Sequence, residues 1–251
     1  SFQYVTLIAG QLLALCVLLL LQSVLPDDQM RAWGWRIPFV LGGMMAVVVV
    51  VMRRRMAETP AFEGVAGAQA RPGLSLALVR EHPRAVLLVM ALTAGGTLAF
   101  YAYSVYMQKF LVNTAGLSVA TASRVMTAAL FLFMLVQPLA GLLSDRVGRK
   151  PLLIGFGVAG VLGTVPIFRA LETVDSGLEA FPLVMAALII VTGYSATGAV
   201  VKSELFPAHI RTLGVALPYA LANTVFGGTA EYVALWFKSI GHESGFYWYV
   251  T

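Results

Sequence analysis

Of 251 residues, 59% are hydrophobic and 12% charged, about half the roughly 25% charged share of a soluble globular domain. A mean hydropathy of +0.83 cannot be hidden inside one water-soluble core of this size, which still needs a largely polar exterior. That excludes an ordinary soluble enzyme and makes lipid the main solvent. The net charge of +5 is not gathered into a nucleic-acid patch; the basic residues punctuate apolar runs instead. Cys16 is the single cysteine, so no disulfide framework or thiolate metal cluster is expected.

About 20 mainly apolar residues cross the hydrocarbon core as a helix. That ruler marks seven spans in chain order: residues 2–25, 37–52, 85–111, 120–143, 151–171, 181–201 and 213–237. An eighth begins at Phe246-Tyr-Trp-Tyr-Val-Thr251. The first run has no basic flank or cleavage site and reads as a span rather than a signal peptide. With an apolar run at each limit, the chain reads as a piece of a longer polypeptide. Trp33 and Trp35 are interfacial aromatics ahead of the second span.

Eleven of the seventeen basic residues fall in alternate connections: Arg53, Arg54, Arg55, Arg71, Arg80 and Arg84; Arg146, Arg149 and Lys150; Lys202 and Arg211. By the positive-inside rule these face the cytoplasm. Three units are expected: residues 1–52 as one helical bundle, 53–84 as a cytoplasmic linker with Pro60, Pro72 and Pro83, and 85–251 as a second bundle.

The sharpest local pattern is Gly141-Leu-Leu-Ser-Asp145-Arg146-Val-Gly148-Arg149-Lys150. Gly141 lets helices approach and Gly148 permits a sharp turn. The three cations hold the turn in the cytoplasm, and Asp145 can meet a cation or a helix N-terminus. The pattern fills every defined position of the signature loop G-x-x-x-D-R-x-G-R-R/K, and here the sequence resembles the major facilitator superfamily. Trp33-Gly-Trp35-Arg36-Ile-Pro38-Phe39 and Glu204-Leu-Phe-Pro207-Ala-His-Ile-Arg211-Thr-Leu-Gly214 are similar to its metabolite:proton symporter branch. So are Tyr106-Met-Gln-Lys109 through Gly116 and Phe226-Gly-Gly-Thr-Ala-Glu231.

The resemblance implies an all-α, two-bundle membrane fold, with this chain covering the fifth helix to the start of the twelfth. It implies a secondary transporter of the bacterial cytoplasmic membrane, carrying a small dicarboxylate such as alpha-ketoglutarate with protons by alternating access. No cofactor beyond the proton gradient is expected, no metal and no nucleic acid. The partners would be the substrate, protons, membrane lipid and the rest of the same polypeptide, its first four helices and its last. Gly141, Asp145, Arg146, Gly148, Arg149 and Lys150 would form a gate, with Asp145 stabilising a cytoplasm-closed state against the first bundle. Citrate, shikimate, and proline or betaine are the other substrates such a branch suggests.

From the residues alone, charges inside spans are functional candidates because burying them is costly. Those charges are Lys109, Arg124 and Glu231. At 100° per residue, Tyr103, Tyr106 and Lys109 share an arc of about 120°, with Tyr101, Ser104 and Gln108 beside it. A cation among hydroxyl and amide donors suits a carboxylate. Lys109 snorkelling to the interface, with the tyrosines in an aromatic belt, is the competing reading. Asn223, Gly227 and Glu231 share a face that leaves Glu231 open to carry a proton, or to pair with a cation on another helix. Gln11, Gln137 and Asn223 either line a cavity or bond helix to helix. A membrane enzyme using Glu231 would need a nucleophile or metal for which the sequence has no pattern; a metabolite sensor that moves nothing is a third reading.

Overall fold

In the computed structural model, residues 2–55, 78, 80–207 and 210–251 are described. Most of the 53–84 linker and His209 therefore lie outside the described residues. These residues are helical, with no strand among them. Two compact units result: residues 1–12 with 75–251, and residues 13–74.

The smaller unit holds most of α1 (Phe2–Val24), a single turn at Asp27–Gln29, a π-helical turn at Met30–Gly34, and α2 (Arg36–Arg55). At the start of α2, Arg36 lies over the Trp35 ring at 5.0 Å and donates to the Ala32 carbonyl at 3.2 Å. This is the tryptophan-and-cation anchoring expected at a membrane interface. The apolar side chains from Phe39 to Met52 are largely exposed, a surface that lipid or other helices must cover.

In the larger unit, α3 (Pro83–Tyr101) starts with proline at N1, where its missing N–H costs nothing. It passes through a π-helical segment, Ala102–Tyr106, into α4 (Met107–Asn113). Ser118 caps α5 (Val119–Val147) through Thr121 N–H. One residue, Gly148 at φ +88°, turns α5 into α6 (Arg149–Leu171). Ser176 caps α7 (Gly177–Ser195) through Glu179 N–H, and Glu179 reaches back to Asp175 N–H, a variant of the capping box. Then follow α8 (Gly198–Glu204), α9 (Arg211–Ala222), α10 (Ala230–Ser239) and α11 (Glu243–Val250).

Six continuous helical segments among the described residues are long and apolar enough to span a membrane: Gln3–Val24, Met30–Arg54, Pro83–Asn113, Val119–Val147, Arg149–Leu171 and Gly177–Glu204. The expected seventh span, residues 213–237, is not one helix. After α9 it passes through a π-helical turn, Asn223–Gly227, and breaks at Gly228 and Thr229 before α10. The break coincides with the glycine pair, where the helix lacks side chains to hold it.

Aromatic packing closes one end of this unit. Phe168 stacks on Tyr247 at 4.8 Å, Phe110 and Phe246 meet Phe168 edge-on, and the Tyr247 hydroxyl donates to Glu172 at 2.6 Å. The segment that reads as the start of a span is thereby held on α6 and α4. Lys238 ties α10 to the end of α4 through the Asn113 carbonyl and the Thr114 hydroxyl, at 2.9 and 2.5 Å. At the other end, Phe206 is buried with Leu78, Val86, Val89 and Ile210.

Candidate functional site

The two expected intramembrane charges on α4 and α10 meet: the Lys109 ammonium donates to the Glu231 carboxylate. The pair is partly open, with side-chain exposures of 52% and 36%. Gly227, one turn before Glu231, packs on Thr97 and Tyr101, so this stretch of the broken seventh span faces α3 and α4. Asn223 is half-buried and makes no side-chain hydrogen bond among the described residues.

The expected tyrosine arc crosses a π-helical segment, Ala102–Tyr106, before it reaches Lys109. A π turn holds more than 3.6 residues and changes the phase of everything after it. Tyr103 and Tyr106 are buried, the first bonded to the Thr164 hydroxyl at 2.6 Å and the second edge-on to Phe110 and Phe246. Lys109 points to α10, where Tyr106 also comes within electrostatic reach of Glu231. Within the π segment, the Ser104 carbonyl takes a hydrogen bond from Gln11 at 2.8 Å, which ties α1 to this turn. Gln108 donates to Ser123 at 2.9 Å, linking α4 to α5. Gln137 is fully buried and accepts from Ser195 at 3.0 Å, linking α5 to α7, while its amide nitrogen has no partner among the described residues. Arg124 is exposed and among the described residues donates only to the Ala120 carbonyl of its own helix.

The signature turn sits at the end of α5 and the start of α6. Gly148 N–H closes on the Ser144 carbonyl at 2.9 Å. Arg149 reaches the end of α8 and pairs with Glu204 at 2.5 Å. The two conspicuous patterns, 141–150 and 204–214, are thus joined by a charge pair. Gly141, Asp145 and Arg149 line a cavity of about 350 Å³ beside Ala196 and Thr197. Asp145, Arg146 and Lys150 are exposed and form no ion pair among the described residues.

One residue that charge counting put in a cytoplasmic connection is buried. Lys202, on α8, is 4% exposed. Its ammonium donates to the Tyr194 hydroxyl at 3.1 Å and lies over the Tyr194 and Tyr219 rings at 5.1 and 4.6 Å. None of the three ion pairs among the described residues includes it. The sequence signal that could have found it is its place one residue past the end of an apolar run, in a segment that continues as helix to Glu204. An intramembrane reading of Lys202 was therefore open.

Comparison with known proteins agrees with this architecture. Residues 30–230 match the Major Facilitator Superfamily. Over its whole length the chain is 53% identical to alpha-ketoglutarate permease of Escherichia coli (strain K12), covering 57% of that protein. It is 34% identical over 217 residues to ectoine/proline transporter ProP of Corynebacterium glutamicum, a match covering 81% of this chain and 42% of the relative. With the glycine betaine/proline/ectoine/pipecolic acid transporter OusA of Dickeya dadantii the identity is 30% over 239 residues, 91% of this chain and 47% of the relative. The chain spans about half the length of the curated relatives it matches. No solved structure matches it significantly. The family match over most of the chain, together with the row of apolar helices, establishes that the chain belongs to the Major Facilitator Superfamily, as a multi-pass protein of the bacterial cytoplasmic membrane.

Proposed function

We propose that the chain is part of a secondary transporter, not an enzyme, that carries a small dicarboxylate together with protons by alternating access. Alpha-ketoglutarate is the first substrate to test, because the relative at 53% identity is named for it. The geometric observation that carries the reading is the ion pair between Lys109 and Glu231. A substrate carboxylate and Glu231 would compete for one ammonium. When Glu231 takes up a proton, the pair opens and Lys109 is free for the substrate; when the proton leaves on the other side, Glu231 reclaims Lys109 and expels it. Proton and carboxylate then travel together, with no cofactor beyond the gradient.

Asn223 and Arg124 form no bonds between helices among the described residues and are free to meet the ligand. Tyr103, Gln108 and Gln137 are bonded between helices and reach the ligand only by exchanging those bonds for it, while Tyr106 is packed against Phe110 and Phe246. The turn from Gly141 to Lys150 acts at the cytoplasmic end as the gate.

The test is uptake of labelled alpha-ketoglutarate by the intact polypeptide in proteoliposomes, with and without an inward proton gradient. Gradient-driven accumulation is expected, and Glu231→Gln is expected to lose accumulation while keeping exchange. Absence of uptake by folded protein removes the substrate assignment, and a variant that still accumulates removes Glu231 from proton coupling. Relatives named for proline and ectoine favour one second reading, a zwitterion substrate, which uptake of labelled proline in the same vesicles would reveal.

A further inference from the structure

We infer that Lys202, caged between Tyr194 and Tyr219, is a carboxylate-binding site of this transporter, separate from the Lys109–Glu231 pair. The inference rests on the dicarboxylate reading and adds a second station for the substrate.

A buried ammonium without a counter-ion is costly, and a methionine would fill the same space without that cost. What surrounds Lys202 supplies donors rather than negative charge. The Tyr194 oxygen accepts from the ammonium, and the same hydroxyl lies within bonding reach of Tyr4, Thr93 and Thr97. Thr93 and Thr97 lie beside Tyr194, and their hydroxyls are buried with no completed hydrogen bond among the described residues. Tyr4 packs edge-on to Tyr194 at 6.3 Å. Glu204, two residues from Lys202, is held by Arg149. Among the described residues the cluster therefore has one positive charge, a set of hydroxyls gathered on Tyr194 and no carboxylate, and a ligand carboxylate would complete it by exchanging hydroxyl bonds for its own.

The Tyr219 ring, itself half-buried, covers the ammonium in this conformation. A cation–π contact is weaker than a charge-assisted hydrogen bond, so a carboxylate can displace the ring. The site lies at a different depth from Lys109. Gly96 touches Tyr194, and thirteen residues of helix at about 1.5 Å each put Lys109 roughly 20 Å further along the same rod. A small dicarboxylate cannot bridge the two cations, so it meets them in succession.

The test is binding of alpha-ketoglutarate and of its dimethyl ester, which has no carboxylate, to the purified intact polypeptide carrying Lys109→Met, so that Lys202 is the cation read, by titration calorimetry with the thermal unfolding midpoint as the check on folding. With Lys202 present this protein should bind the diacid at least tenfold more tightly than the ester. Lys202→Met should weaken diacid binding at least tenfold and bind the two ligands alike, with an unchanged or raised midpoint; Lys202→Arg should keep the preference. Tyr219→Leu, which removes the competing ring, should bind the diacid several-fold more tightly. A folded Lys202→Met protein that still prefers the diacid overturns the Lys202 site and leaves the dicarboxylate reading standing. If Lys202→Met does not fold, unchanged or weaker binding by Tyr219→Leu overturns it. Failure of the folded unaltered protein to bind the diacid overturns the dicarboxylate reading and this inference with it.

Discussion

A methyl group at position 96 has nowhere to go: a Cβ on Gly96 would lie 2.3 Å from the Tyr194 ring. Tyr194 in turn holds Lys202, so the glycine's size helps to place the buried charge. Gly96→Ala should destabilise the protein by about 1–3 kcal/mol, the usual cost of overpacking, and the same change in a Tyr194→Leu background should cost less. A double-mutant cycle on unfolding measurements checks this; equal costs in both backgrounds would mean that the ring is not what the methyl meets. The sequence displays the charge at 202 but not its burial. That burial depends on Tyr194, eight positions earlier across the turn at Ala196 and Thr197, and on Tyr219 of another helix. A charge count assigns such a lysine to a loop because nothing local says otherwise. Glu231 and Lys109 were legible as single residues because each interrupts an apolar run, whereas their pairing depends on how α4 and α10 meet.

Among elements, the spans were legible because length and apolarity are what a bilayer demands of a helix. The expected 120–143 and 151–171 lie inside α5 and α6. The π segments were not legible, because one extra residue in a turn leaves no mark on composition. The one at Ala102–Tyr106 interrupts the arc of tyrosines that helical arithmetic places beside Lys109, although Tyr106 stays within electrostatic reach of Glu231, the partner of Lys109. Close helix contact is easier to trace to sequence: a Cβ on Gly193 of α7 would lie 2.5 Å from the Leu152 carbonyl oxygen of α6, and one on Gly163 would lie 2.9 Å from Ile190. Small residues at such crossings let backbones approach. A backbone carbonyl cannot rotate away as a side chain can, so Gly193→Ala must push α6 and α7 apart. Its cost should exceed that of Gly96→Ala, at or above about 3 kcal/mol. Gly157→Ala, with nothing within 4 Å of its Cβ, is the control and should stay within about 0.5 kcal/mol. Unfolding midpoints of the two variants in one detergent decide it, and similar losses would sink the backbone argument.

At the scale of the molecule, the larger unit carries an ion pair near each end. Lys109–Glu231 joins α4 to α10, and Arg149–Glu204 joins the α5–α6 turn to α8, the end that the positive-inside rule expects in the cytoplasm. Gln108 bonds Ser123, so the stretch of α5 from Ser123 to Val147, roughly 36 Å of helix, separates the two levels. Both members of the cytoplasmic pair are substantially exposed, at 42% and 52%, so solvent screening leaves the pair worth less than about 1 kcal/mol of stability. If its role is to hold α8 against the α5–α6 turn in one transport state, the effect belongs in turnover rather than in folding. Arg149→Glu should therefore lower the maximal rate of gradient-driven uptake several-fold, with substrate binding and the unfolding midpoint nearly unchanged. Adding Glu204→Arg, which restores opposite charges at the same two positions, should recover part of the rate. Asp145→Asn, in the same turn but without an ion pair among the described residues, should likewise impair turnover more than binding. Equal loss of binding and turnover, or a large fall in the midpoint of Arg149→Glu, would make this turn a structural clasp rather than a gate. Recovery in the charge-swapped protein, measured as uptake rate at saturating substrate, separates the two, because a state-dependent ion pair needs opposite charges at 149 and 204 rather than particular side chains.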